Sequence, residues 1–324
     1  MKRLLNILCY CLLPFLSVAQ NTDSISTKRT DPYSYFRFNY DNDFFSATDQ
    51  FYTQGTYFEL ISPFVKKIPL AHALIPLKGS VNYYGLEFEQ DVFTPSSIRR
   101  DTVFTGDRPF AALVYLSQFL ISIDPVKRIR LNTKIDMGLL GPCAKGKETQ
   151  QNIHRWLDNI QPLGWQYQVA SDYMLNYNIQ FEKGIFLRKG FEFIGTTAAR
   201  AGTIYTDASA GALIRSGWMN SYFQNIGITK YRDASTKKFQ AYLFCRGDAK
   251  VVGYNATLQG GVFNPTSIYT IGPDKIERIV FTGSYGLVIT YKRLSLEYTK
   301  VYLTPEFYKG FEHAWGHCNI SFCF

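Results

Sequence analysis

Residues 146–160 read GKETQQNIHRWLDNI. The spacing predicts one short helix over residues 147–160, on which Gln150 and His154 stand four apart and share a face. An imidazole changes charge closest to neutral pH, so His154 beside a polar neighbour is a candidate general base. Trp156, Leu157 and Ile160 are expected to form the packed side of that helix. A solvated surface histidine is the plainer alternative, and spacing alone leaves both readings open.

A second group lies near the start of the chain, in NYDNDFFSATDQFYTQG. Asp41, Asn42, Asp43, Asp49 and Thr53 concentrate oxygen ligands within about a dozen residues. Hard cations such as Ca²⁺ take oxygen donors of this kind. The run is not an EF-hand loop: counted from Asp41, the sixth residue is Ser46 rather than Gly, and the twelfth is Tyr52 rather than Glu. An acidic hairpin tip would show the same composition. A third group, Arg99, Arg100 and Arg108 in FTPSSIRRDTVFTGDRPFAAL, suits phosphate through two-pronged guanidinium contacts, or a solvated basic loop. No G-x-S-x-G, H-E-x-x-H or G-x-x-x-x-G-K-[ST] run occurs. His72, His313 and His317 have no obvious partners in sequence.

These groups need elements that bring them together. Residues 127–139 alternate strictly: Ile129, Leu131, Thr133, Ile135, Met137 and Leu139 face one way, and Arg130, Asn132, Lys134, Asp136 and Gly138 the other. Residues 172–182 and the final stretch EHAWGHCNISFCF repeat the pattern, the latter ending on Phe324. Alternation of period two is the mark of a strand with one apolar and one polar face. Strands are expected near 33–42, 52–62, 80–93, 110–124, 127–139, 166–184, 188–203, 208–220, 237–250, 276–291, 292–304 and 312–324. The pattern predicts an all-β protein, a transmembrane antiparallel up-and-down β-barrel of about twelve strands, with a short helix in an extracellular loop.

The opening MKRLLNILCYCLLPFLSVAQ has a basic start, an apolar centre and small residues before a cut. Residues 1–19 are read as a signal peptide, and 20–324 as a single barrel domain with a polar leader at 20–31. No later run approaches the roughly 20 apolar residues of a spanning helix. The mean hydropathy of −0.13 permits a barrel, whose strands are only half apolar. Aromatics at 16% fit strands and the girdles of a membrane barrel. The formal charge of +9 falls to +7 once Lys2 and Arg3 leave with the leader. That mild basicity suits anionic head groups, and without a clustered basic run it gives no case for nucleic acid. Cys143, Cys245, Cys318 and Cys323 have no zinc spacing, and the last two lie on opposite strand faces.

With both ends on the periplasmic side, the outward loops are 43–51, 94–109, 140–165, 204–207, 251–275 and 305–311. All three candidate groups then fall at one mouth. The segment 63–79 is a longer periplasmic connection with amphipathic character and no assigned chemistry.

Several of these marks, in this order, resemble the outer-membrane lipid A 3′-O-deacylase family. They are Asn42-Asp43, the T-D-x-x-Y-T-x-G run from Thr48 to Gly55, G-D-R-x-F from Gly106 to Phe110, Gly141-Pro142, E-x-Q-x-x-x-H-R from Glu148 to Arg155, and the terminal aromatic strand. The resemblance implies a calcium-dependent esterase in the bacterial outer membrane, acting on lipid A or lipopolysaccharide from the outer-leaflet side, as a monomer. It implies His154 as the base that activates water, Asp43 as a Ca²⁺ ligand, and Asn42, Thr53 and Gln150 completing the site. Arg99, Arg100 and Arg108 would meet phosphate or sugar. The alternatives on the residues alone are a hydrolase of other lipids, or a pore or adhesin without chemistry.

Overall fold

The computed structural model describes residues 34–43, 51–227 and 237–324. The proposed signal peptide and polar leader lie outside the described residues, as does Asp49. Twelve antiparallel strands close into a barrel: β1 (Tyr35–Asn42), β2 (Phe51–Ile61), β3 (Val81–Thr94), β4 (Ala111–Asp124), β5 (Ile129–Leu140), β6 (Asp172–Arg188), β7 (Phe191–Gly202), β8 (Tyr205–Trp218), β9 (Phe239–Asn255), β10 (Ile279–Tyr291), β11 (Leu294–Leu303) and β12 (His313–Cys323). Each strand pairs with its neighbours in sequence, and β1 pairs with β12 to close the ring. Closure removes the free edge that an open sheet would present.

The alternation settles which side is which. Phe36, Phe58, Phe88, Leu116, Met137, Ile320, Phe322 and Phe324 are exposed on the outside. Arg37, Glu59, Glu87, Arg130, Lys134 and Asp136 line a cavity of about 320 Å³ inside. A second cavity of about 280 Å³ is lined by Asp41, Glu89, Asp91, Arg108, Arg200 and Lys250, among others. Both touch Tyr115, Arg200 and Tyr205, so they stack along the lumen.

The connections divide unequally. At one end, β6–β7 and β10–β11 are joined by two-residue turns and β4–β5 by four residues, as on the periplasmic side of an outer-membrane barrel. Two connections at that end are long. One, residues 219–238, was not singled out in the sequence. Its described part folds into the lumen: Phe223 and Ile226 pack among Tyr35, Ile61, Tyr83, Phe119, Ile121 and Leu213. Tyr222 reinforces this plug, its hydroxyl donating to Glu182 (2.7 Å) and its amide to Glu192 (3.0 Å). The other, residues 62–80, contains two 3₁₀ turns, Pro63–Lys67 and Pro69–Ala73. Prolines at both starts, and a third at Pro76, keep it from forming the longer helix its composition allows.

At the opposite end, helix α1 (Gly146–Trp156) sits in the β5–β6 connection, and a single turn, α2 (Ala256–Gln259), in the β9–β10 connection. The β6 strand begins at Asp172 rather than near 166, because Trp165–Tyr167 forms a 3₁₀ turn.

Candidate active site

The oxygen cluster is divided by the strand itself. Asp41 and Asn42 are adjacent in β1, so their side chains leave on opposite faces. Asp41 points into the lumen, where His317 Nδ1 meets Oδ1 at 2.7 Å and the Tyr52 hydroxyl donates to Oδ2 at 3.1 Å. Asp41 is therefore removed from the expected cation cluster, and His317 acquires the partner that sequence spacing did not reveal. Asn42 faces outward, its amide donating to the Tyr40 hydroxyl at 2.9 Å. Asp43 follows at the strand end and is buried, 2% exposed as a residue.

Thr53 occupies the one irregularity of β2. Tyr52 pairs with Phe93 and Gln54 with Val92, which leaves Thr53 as an extra residue in a β-bulge. Its hydroxyl lies 2.8 Å from that of Thr94. The bulge is held from inside the barrel. The Tyr52 hydroxyl also lies 3.0 Å from Asp91 Oδ1, sharing its one proton between the two carboxylates, and His313 Nε2 donates to the Tyr52 carbonyl (3.0 Å). The Tyr52 ring crosses Gly55 so closely that an added Cβ would lie 1.9 Å from its hydroxyl oxygen. Tyr52, Thr53 and Gly55 of the T-D-x-x-Y-T-x-G run thus form one device that shapes the wall.

The β5–β6 connection folds back over the outside of that wall. Gly141, at φ +86°, approaches the carbonyl of Val169 where a side chain would clash, and Pro142 starts the turn that leads to α1. Glu148 in the first turn of α1 has its carboxyl held below the usual range, chiefly by a hydrogen bond to its own backbone N–H. The helix docks through Gly146, Gln150 and His154, its buried residues. A Cβ at Gly146 would lie 2.4 Å from that of Ala112 on β4. Thr149 donates to Gln90 on β3 (3.2 Å), whose amide donates to the Ala144 carbonyl (2.7 Å). Trp165 Nε1 donates to Gln150 Oε1 at 2.8 Å.

His154 Nδ1 lies 2.5 Å from the Ile160 carbonyl. A carbonyl only accepts, so Nδ1 carries the proton, and the neutral ring has its lone pair on Nε2. The expected packed side of the helix is corrected: Trp156 is 84% exposed, and Leu157 and Ile160 are also exposed. The polar residues face protein here because the partner surface is the rim of the wall, with Gln90 and the indole N–H ready to bond them.

Cross-strand register ties the two halves together. Asn42 pairs with Gln54, Gln54 with Val92, and Val92 with Ala112. Two strand spacings, about 10 Å, separate Asn42 from Val92. Val92 and Ala112 share an apolar cluster with Ala144, Phe110 and Trp165, beneath α1. Asn42 and Thr53 on β1–β2, and Gln150 and His154 on the helix over β3–β4, thus lie along adjoining stretches of the same outer rim.

The arginines separate. Arg99 and Arg100 are exposed on the β3–β4 loop, beside the same rim; Gly164 approaches the Arg100 carbonyl, and Leu163 donates to the Ile98 carbonyl (2.8 Å), joining the two loops. Arg108 is a correction to the expected basic cluster. It is buried inside the mouth, ion-paired with Glu306, bonded to Thr257 (2.7 Å), and stacked over Phe93. Its neighbours in G-D-R-x-F are also structural: Asp107 accepts from the Ser96 amide (2.8 Å), and Phe110 packs on Trp165.

Fold and site together define an outer-membrane β-barrel with a polar site on its outer wall beneath a folded-back helix. The chain belongs to the family described as outer membrane protein LpxR, whose family model matches residues 5–324. Among solved structures it is similar to LpxR from Salmonella typhimurium, with TM-score 0.73 and 19% identity over 90% of this chain and 100% of that one. At that identity the likeness is one of fold. The beta domain of the Bordetella autotransporter BrkA also matches, with TM-score 0.44 and 8% identity over 90% of this chain and 99% of that one. No curated protein matches the chain in sequence.

Proposed function

We propose that this protein is a lipid A deacylase, a calcium-dependent esterase that removes the 3′-O-linked acyl chain or chains of lipid A in the outer leaflet. The observation that carries the reading is the fixed tautomer of His154 on an external helix held against the membrane-facing wall. Family membership and the motif resemblance support it. A water at Nε2 would lose its proton to His154 as its oxygen attacks the ester carbonyl carbon. The tetrahedral intermediate then collapses, the C–O bond to the sugar breaks, and the imidazolium returns the proton to the departing sugar oxygen. The Gln150 amide, oriented by Trp165, is suited to align water or the ester.

The donors at the rim fit a hard cation in kind. Among the described residues no three His, Cys, Asp or Glu side chains could hold one metal ion together. A cation there would rest on Asp43 and on neutral oxygens such as those of Asn42 and Thr53. Oxygen donors with one carboxylate match weakly bound Ca²⁺. When bound, Ca²⁺ supplies a positive centre for the developing oxyanion. Arg99 and Arg100 are suited to meet substrate phosphate beside this site. The exposed Trp156, Leu157 and Ile160 offer acyl chains an apolar surface next to His154. The plugged lumen argues against a pore.

The test is mass spectrometry of lipid A from a Gram-negative host expressing the chain, beside the His154→Ala variant. Loss of the 3′ acyl mass with the intact protein alone is the expected result. Unchanged lipid A, with both proteins folded in the outer membrane and calcium present, would overturn the reading.

A further inference from the structure

The 62–80 connection does not hang below the barrel. It lies against the outside of the wall. Val65 accepts through its carbonyl from Gln118 on β4 (3.1 Å), and Ala73 from the Tyr177 hydroxyl on β6 (3.1 Å). Leu74 packs against Leu120 of β4 and Ile135 of β5, with Leu70, Tyr84 and Tyr177 around them. All of these wall residues are on the outward face, in register with Leu116 and Met137, which are exposed farther up the same strands. The segment therefore takes the place of lipid along four strands and covers two polar wall residues, Gln118 and Thr133, that would otherwise meet it.

Its own outer side is amphipathic. Phe64 and Ile75 are exposed, and so are Lys66, Lys67, His72 and Lys78. From Ser62 to Ser80 there is no Asp or Glu. Three lysines are not tolerated in hydrocarbon, so the segment's solvent side lies at the periplasmic head-group level, where lysine stems reach outward and apolar side chains enter the acyl region. An acid-free basic surface continuous with the membrane-facing wall matches anionic head groups.

We infer that residues 62–80 form an interfacial strap that binds anionic phospholipid of the periplasmic leaflet. Lys66, Lys67 and Lys78 contact the phosphates, and Phe64 and Ile75 enter the acyl layer. The strap acts independently of the His154 site, on the other side of the membrane.

The experiment uses the full barrel, refolded and checked by heat-modifiability, with phosphatidylglycerol and phosphatidylethanolamine as probes. Native mass spectrometry reads the lipids retained after release from detergent. Wild type is expected to retain phosphatidylglycerol in preference to phosphatidylethanolamine. The triple variant Lys66→Gln/Lys67→Gln/Lys78→Gln is expected to retain it on the order of 100-fold less well. A matched control at the opposite end, Lys145→Gln/Lys147→Gln/Lys309→Gln, is expected to behave as wild type. Equal retention by wild type and the strap variant, or a loss confined to the control, overturns the proposal. A Phe64→Trp variant in vesicles with brominated acyl chains should be quenched beyond the wild-type background; quenching no greater than wild type also overturns it. Because neither readout involves ester hydrolysis, failure here and failure of the deacylase reading are separate results.

Discussion

Two of the described non-strand segments that fold onto the outside of this barrel, both over β3 and β4, do so in opposite ways. The 141–171 connection at the outer end buries Gly146, Gln150 and His154 and exposes Trp156 and Leu157. The 62–80 strap at the inner end buries Val65, Ala71 and Leu74 and exposes lysines. The strap turns apolar residues to the wall, while Phe64 and Ile75 stay exposed beside its lysines. The helix does the reverse, burying an imidazole and an amide while leaving an indole uncovered. Burying polar groups without need is destabilising; here Thr149 and Gln150 meet Gln90 and the Trp165 indole N–H, an arrangement that the proposed role of His154 would require.

The sharpest way to break this comparison is His154→Ala. Ester hydrolysis is expected to fall by roughly 10²–10⁴-fold, with the barrel still heat-modifiable, since the residue lies outside the strand network. Loss of the folded band would make the helix structural, like the strap. Next in size is the cation. Chelation by EGTA should stop turnover, with half-activation near 0.1–1 mM Ca²⁺ for a site holding one carboxylate. Asp43→Asn should raise that concentration; full turnover in excess chelator would remove Asp43 from the role. Gly146→Leu tests the docking of α1. Its side chain meets Ala112 and Trp165, so kcat should drop by about tenfold or more while barrel stability changes little. Tyr52→Phe removes the hydroxyl that joins Asp41 and Asp91 behind the bulge, and about a tenfold fall in kcat is expected at most. The smallest effect belongs to the strap. Leu74→Ala should leave activity unchanged and cost less than the ~2 kcal/mol typical of a closed core, because lipid can fill the space; denaturant unfolding measures it.

The twelve strands were legible because alternation is imposed by the two solvents a membrane barrel separates, and it runs unbroken through residues such as Ile129 to Leu139. The site was legible in part. Gln150 and His154 share a face by helical spacing alone. Which face docks was not legible: amphipathic reasoning puts Trp156 and Leu157 against protein, whereas the rim offers polar partners, Gln90 and Trp165, from distant segments. Asp41 and Arg108 were misplaced for a related reason. A loop-level reading does not distinguish the two sides of a wall one residue thick, and only the register sends Asp41 inward to His317. The plug made by Tyr222, Phe223 and Ile226 carried no period that would announce it.

That plug has a consequence for conduction. Phe223 and Ile226 pack across the inner end of the lumen, so side chains rather than water occupy it there. Planar-bilayer conductance is then expected to show no steady open-channel current, unlike that of an open barrel of the same strand number.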